Sequence, residues 1–98
     1  MEKRSPHYKL AAVKMLIASG KVRTTQTARI GASELGLNLD GMLQIINLLQ
    51  PRDFYKSMTT HADHTVWQDV YRPMTSVGEV YIKLTIIDDL LVVSFKEL

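Results

Sequence analysis

Cysteine is absent from the 98 residues, which removes disulfide frameworks, thiolate zinc sites and cysteine nucleophiles together. Long apolar runs are absent as well. None approaches the roughly 18 to 20 residues of a membrane helix, so no membrane span is expected. Residues 10–18 are interrupted by Lys14 and preceded by Glu2 and Pro6, which argues against a secretory signal. The chain is expected to stay in the cytoplasm. No Gly-x-Ser-x-Gly elbow, phosphate-binding loop or Gly-x-Gly-x-x-Gly run occurs, which leaves acyl transfer and nucleotide-cofactor chemistry without support. His61, Asp63 and His64 crowd into one turn-like segment without a third separated ligand of suitable type. A solvated turn is the plainer reading, and neither metal nor cofactor is expected.

What is present suits a folded chain. Apolar residues make up 46% and charged residues 22%, near the average for globular domains and too apolar for disorder. A chain of this length holds one domain, residues 1–98, and buries about 60 to 70% of the surface its unfolded form exposes. The formal net charge of +2 conceals an uneven distribution. Residues 1–56 carry nine Lys or Arg against four Asp or Glu, a balance of +5, whereas residues 57–98 carry three against six, a balance of −3. A basic surface is the sequence-independent mark of a phosphate-bearing partner, because neutralised phosphates release counterions. A solvated helical surface gives the same count.

Ser5-Pro6 has the form of an N-cap followed by proline at the first helical position, so a first helix is expected to begin there. Leu10, Val13, Leu16 and Ile17 recur at helical spacing until Gly20 ends the pattern. Residues 21–24 read as a short edge strand. Thr25 or Thr27 caps a second helix to about Leu35, closed by Gly36, and Asp40-Gly41 opens a third, which Pro51 stops. This third helix is apolar around most of its circumference and is expected to lie deepest. Beyond Pro51 the period becomes alternating. Strands are expected near residues 55–60, 65–72, 79–87 and 90–96, joined by short connections as antiparallel neighbours. Helices first and strands after give an α+β layer, with about three N-terminal helices on one face of a small antiparallel sheet.

With Asp88-Asp89 as a two-residue turn, cross-strand partners sum to 177. Ile82 then faces Phe95, Leu84 faces Val93 and Ile86 faces Leu91 on the core side. Tyr81 faces Lys96 and Lys83 faces Ser94 on the other side. Sending Trp67 and Tyr71 to the helices brings Gln68 and Arg72 to that same open face. Lys56 and Met58 alternate likewise in the first of these strands, although periodicity does not fix their side. Trp67 and the methionines read as core.

Lys56, Gln68, Arg72, Tyr81, Lys83 and Lys96 would then share one uncovered side of the sheet, an arrangement that suits RNA. Cleavage through the 2′-hydroxyl needs a base for that hydroxyl, positive charge for the developing phosphorane and an acid for the departing 5′ oxygen. Like charges crowded on one face would push the lysines downward and favour Tyr81 as phenolate. Tyr55 or Tyr81 could stack on an unpaired base, and His64 reads as an RNA-contacting group. Tyr and Lys are also ordinary partners on any exposed strand pair, so this pattern alone favours a plain solvent-facing sheet and leaves function open.

The run Asp53-Phe-Tyr-Lys-Ser-Met-Thr-Thr60, then Asp63-His-Thr-Val-Trp-Gln-Asp-Val-Tyr-Arg-Pro73, Val80-Tyr-Ile-Lys83 and Val93-Ser-Phe-Lys-Glu97, closely resembles the MqsR family of toxins. The likeness runs from Glu2-Lys-Arg-Ser-Pro-His7 through Glu34-Leu-Gly-Leu37 to Lys96, and is weaker over residues 19–33 and 74–77. It implies a RelE-like fold and a ribosome-independent endoribonuclease that cuts mRNA at GC-containing sites, chiefly GCU. It further implies a cognate antitoxin with a zinc-binding N-terminal domain and a helix-turn-helix C-terminal domain, with operator DNA bound only through the complex. The residues associated with activity fall on Lys56, Gln68, Tyr81 and Lys96. Tyr55, Met58, His64, Arg72 and Lys83 are the expected substrate contacts. A catalytically idle module that binds nucleic acid or a protein partner is the alternative.

Overall fold

The hydrophobic period changes near residue 50, and the chain divides accordingly in the computed structural model, which describes residues 1–98. Three helices, α1 (Leu10–Ala18), α2 (Gln26–Glu34) and α3 (Leu39–Asn47), precede most of the sheet. The strands are β1 (Glu2–Lys3), β2 (Val22–Thr24), β3 (Phe54–Thr59), β4 (Trp67–Tyr71), β5 (Met74–Thr75), β6 (Gly78–Ile87) and β7 (Asp89–Glu97). Their order is β1-β3-β4-β6-β7-β2, with β5 paired to β6 off this path. Every pairing is antiparallel except β2 with β7. This is the α+β layer expected from the sequence, with the helices on one face. None of the helices is long and apolar enough to cross a membrane.

The helix ends show local chemistry yielding to tertiary demand. Ser5-Pro6 does not open a helix, because the backbone N–H groups of His7 and Tyr8 donate to the two carboxylate oxygens of Asp69 at 3.0 and 2.9 Å. A buried carboxylate requires such donors, so α1 starts only after Tyr8. Gly20 takes a φ of 72° just past its C-terminus, as expected. Thr25 caps α2 by accepting from the Ala28 N–H. Asn38, rather than Asp40, caps α3 by accepting from the Gly41 N–H at 2.9 Å, so that helix begins earlier than expected.

The deepest helix is α2, not α3. A Cβ added to Gly31 would lie 2.0 Å from the Phe95 carbonyl oxygen, so the helix backbone rests directly on β7. Its neighbours Ala28 and Ala32 are wholly buried. α3 likewise buries two residues, Met42 and Ile46, a single stripe at i, i+4 spacing, but no part of its backbone is shown resting on a strand as α2 does at Gly31. One continuous core joins Val13, Ala28, Ala32, Met42 and Ile46 to Tyr71, Val80, Ile82, Leu84, Leu90, Val92 and Phe95 of the sheet. The methionines correct the expectation made for them. Met42 is core, whereas Met1, Met15 and Met74 are exposed. Trp67 is half-buried and lies outside the core cluster, with His7 stacked on it at 5.4 Å and the Lys3 ammonium 4.2 Å from its ring centre.

The β6–β7 hairpin differs from the expected register in two places that offset each other. Its turn is tighter, with Ile87 opposite Asp89 and Asp88 alone at a φ of 63°, a conformation Asp adopts more readily than most residues. Leu84 consequently pairs with Val92 and Ile86 with Leu90, each one residue away from the partner expected. A bulge then takes up Val93 between the Leu84 and Lys83 pairs, and one extra residue restores the sum of 177. From there Lys83 opposes Ser94, Ile82 opposes Phe95 and Tyr81 opposes Lys96, as expected.

Candidate active site

The face turned away from the helices is assembled from four adjacent strands. One row runs Lys56, Val70, Lys83 and Ser94 across β3, β4, β6 and β7 through their pairings. Paired residues share a face, so Lys56 and Lys83 flank Val70 on the uncovered side. Val70 is fully buried yet lies outside the helix-side core; it forms an apolar floor beneath the two lysines. Tyr81 and Lys96 sit two residues along β6 and β7. Gln68 and its partner Met58 lie on the same face in the opposite direction.

Distances join most of these groups. The Lys96 and Lys83 ammonium groups stand 5.2 and 6.0 Å from the centre of the Tyr81 ring. A second bulge, between Phe54 and Lys56, makes Tyr55 the unpaired residue of β3. The Tyr55 ring lies 4.7 Å from the Arg72 guanidinium carbon and 5.5 Å from the Lys56 ammonium, so Arg72 and Tyr55 border the same cluster. His64 does not join it. It stays exposed in the β3–β4 connection, where the Asp63 carboxylate is occupied by the Thr65 N–H and hydroxyl at 2.8 and 2.6 Å. No group of three His, Asp or Glu side chains is arranged to hold a metal ion.

The titration directions depart from expectation. Lys83 is pushed down, first by burial and then by Lys96 and Lys56, as crowding requires. Lys56 is instead pushed up, because the Glu2 carboxylate hydrogen-bonds to it at 2.8 Å. Tyr81 is also pushed up, since its partial burial outweighs the pull of Lys56 toward phenolate. The site therefore holds a protonated phenol among cations, where sequence reasoning favoured a phenolate. It missed Glu2 altogether, because a two-residue strand carries no periodicity. Asp69 was missed too, although a lone acid inside the run Trp67 to Tyr71 was a usable signal.

This face is open. The depressions in the surface lie elsewhere; one of about 320 Å³ sits between α3 and β5, lined by Ile45, Leu48, Arg52, Pro73 and Met74. A shallow cationic face with exposed rings accommodates an extended polyanion better than a small enclosed ligand.

Comparison with known proteins agrees with the residue pattern. The family described as motility quorum-sensing regulator, toxin of MqsA, matches residues 5–97. The mRNA interferase toxin MqsR of Escherichia coli (strain K12) is 59% identical over 97 residues, covering 99% of each chain. With a family match over nearly its whole length and a relative this similar, the chain belongs to the MqsR toxin family.

Proposed function

We propose that this chain is the toxin of a type II toxin–antitoxin pair, a single-domain, cytoplasmic, ribosome-independent endoribonuclease that cuts mRNA at GC-containing sites, chiefly GCU. The observation that carries the reading is the protonated Tyr81 phenol between Lys96 and Lys83 on a face the helices leave uncovered. In the proposed reaction the 2′-oxygen attacks the adjacent phosphorus and the bond to the 5′ oxygen breaks, leaving a 2′,3′-cyclic phosphate and a 5′-hydroxyl. The 2′ proton passes to a base, for which the depressed Lys83 is the best-suited lysine. Tyr81 supplies the proton to the departing oxygen, and Lys56 and Lys96 offset the charge that grows on the phosphorane. Gln68 positions the substrate. Tyr55, Met58 and Arg72 extend the contact surface, with Tyr55 available for base stacking. His64 contacts RNA from the β3–β4 connection, outside the cluster. The chemistry uses side chains alone and calls for no cofactor.

The partner in this reading is a cognate antitoxin with a zinc-binding N-terminal domain and a helix-turn-helix C-terminal domain, which silences the toxin and carries it to operator DNA. This chain supplies no cysteine for the zinc module, consistent with its being the toxin half. The test is cleavage of a GCU-containing RNA by purified protein in the presence of a chelator. Lys56→Ala, Tyr81→Phe and Lys96→Ala should each lower the rate by about 10²-fold or more while the thermal midpoint stays within a few degrees of the parent. Undiminished cleavage by all three would remove the site. RNA bound but left intact by the parent chain would favour the idle binding module.

A further inference from the structure

Among the cations of the open face, one is bonded to a carboxylate. β1 pairs with β3 so that Glu2 opposes Met58 and Lys3 opposes Ser57, which places Glu2 on the Lys56 side of the sheet and diagonal to Lys56. Its Oε1 accepts from the Lys56 ammonium at 2.8 Å. The strand is held at a distance from this contact: Asp69 binds the His7 and Tyr8 N–H groups, and His7 and Lys3 pack on Trp67. Residues 2–8 thus form a strap fixed on the helix side, with one acidic side chain projecting over the other face. The Glu2 side chain is 57% exposed and that of Lys56 23%, so Glu2 is free to swing away while Lys56 stays in place.

An ammonium accepts a carboxylate or a phosphate oxygen at the same distance and with the same geometry. We propose that Glu2 is a positioning residue that occupies Lys56 in place of an RNA phosphate and releases it when substrate binds, so that the N-terminal strap is a built-in competitor of RNA. This inference rests on the reading of the face as an RNA-cleaving site. The groups that raise Lys56, against its own burial, are Glu2 from β1, Tyr55 from β3 and Tyr81 from β6, and Lys56 in turn helps to push Lys83 down. Of these Glu2 alone is an anion at neutral pH. An exposed ion pair is weak, as displacement by substrate requires. It still prevents Lys83, Lys96 and Lys56 from standing unneutralised together in the free protein.

The test compares the full-length parent with Glu2→Gln and Glu2→Asp, using a fluorescent RNA carrying 2′-deoxyribose throughout a GCU triplet so that binding is read without cleavage. Glu2→Gln should bind about two- to fivefold tighter, the range an exposed pair spans. Its log–log salt slope should steepen by up to about 0.7, since the Glu2 carboxylate freed in the parent complex takes up a cation that offsets the counterion released at Lys56. With cleavable RNA, KM should fall by the same factor while kcat stays within twofold. Glu2→Asp keeps the charge and should restore the affinity and slope of the parent. Equal or weaker binding by Glu2→Gln with an unchanged slope would overturn the proposal and leave Glu2 as a mere tether of β1. Tighter binding by Glu2→Gln with cleavable RNA left intact by every variant would sustain the competition but refute the nuclease reading. Absence of RNA binding by any variant would overturn both.

Discussion

Two tyrosines on opposite faces of the sheet show how placement decides what a phenol does. Tyr71 is 1% exposed, its hydroxyl has no hydrogen-bond partner, and burial pushes its pKa up to about 12. A buried unsatisfied donor costs about 1 to 3 kcal/mol. Tyr71→Phe is therefore expected to stabilise the fold by about 1 kcal/mol, raising the thermal midpoint by about 4 to 8 °C in a domain of this size, with RNA cleavage unchanged. A lowered midpoint in a calorimetric scan would contradict that account. Tyr81 is only partly buried and has cations on two sides, so it remains a phenol that is able to give up its proton. Alternation along β6 is enough to separate Tyr81 from Ile82, and for that reason the reactive tyrosine was legible in the sequence. Its protonation state was not. That depends on how far neighbouring strands bury the ring, and only then on Lys56 and Tyr55 beside it.

Among the elements, the seating of α2 on β7 matters most to the site. Gly31 allows the helix backbone to touch the Phe95 carbonyl, and the methyl group of Gly31→Ala would also stand 3.2 Å from the Lys96 Cβ. A carbonyl in a paired strand has little room to yield, so the helix must shift outward. This substitution is expected to cost about 2 to 3 kcal/mol, lowering the thermal midpoint by about 10 °C or more, and to lower cleavage by displacing Lys96. An unaltered midpoint would show that the helix does not sit so close. The sequence revealed the helices, the main strands and the meeting of Tyr81 with Lys96, because these rest on period and on turn chemistry. It concealed the bulges at Tyr55 and Val93, which are single-residue responses to neighbouring strands. It also concealed β1 and β5, each too short to show alternation. The ranking of the helices by depth failed for a related reason: apolar content favoured α3, whereas small residues at 28, 31 and 32 allowed α2 the closer approach.

At the scale of the molecule, the charge asymmetry along the chain is not the asymmetry in space. Arg72, Lys83 and Lys96 come from the half that is acidic on balance, yet the sheet gathers them with Lys56 on one face. Three of the acids of that half lie away from the cluster: Asp69 is buried beneath the strap, Asp63 closes a loop, and Asp89 pairs with Arg23 at the far end of the hairpin. The fold therefore makes a cationic surface out of a nearly neutral chain, and its value for RNA depends on what the groups on it do to a phosphodiester. The ends of the cleaved RNA report this most directly. In chelator, the parent chain should leave 5′-hydroxyl and 2′,3′-cyclic phosphate ends, and a single 2′-deoxyribose at the nucleotide preceding the cut should abolish cleavage there. Fragments with 5′-phosphate and 3′-hydroxyl ends, or cleavage that survives the missing 2′-hydroxyl, would contradict the account.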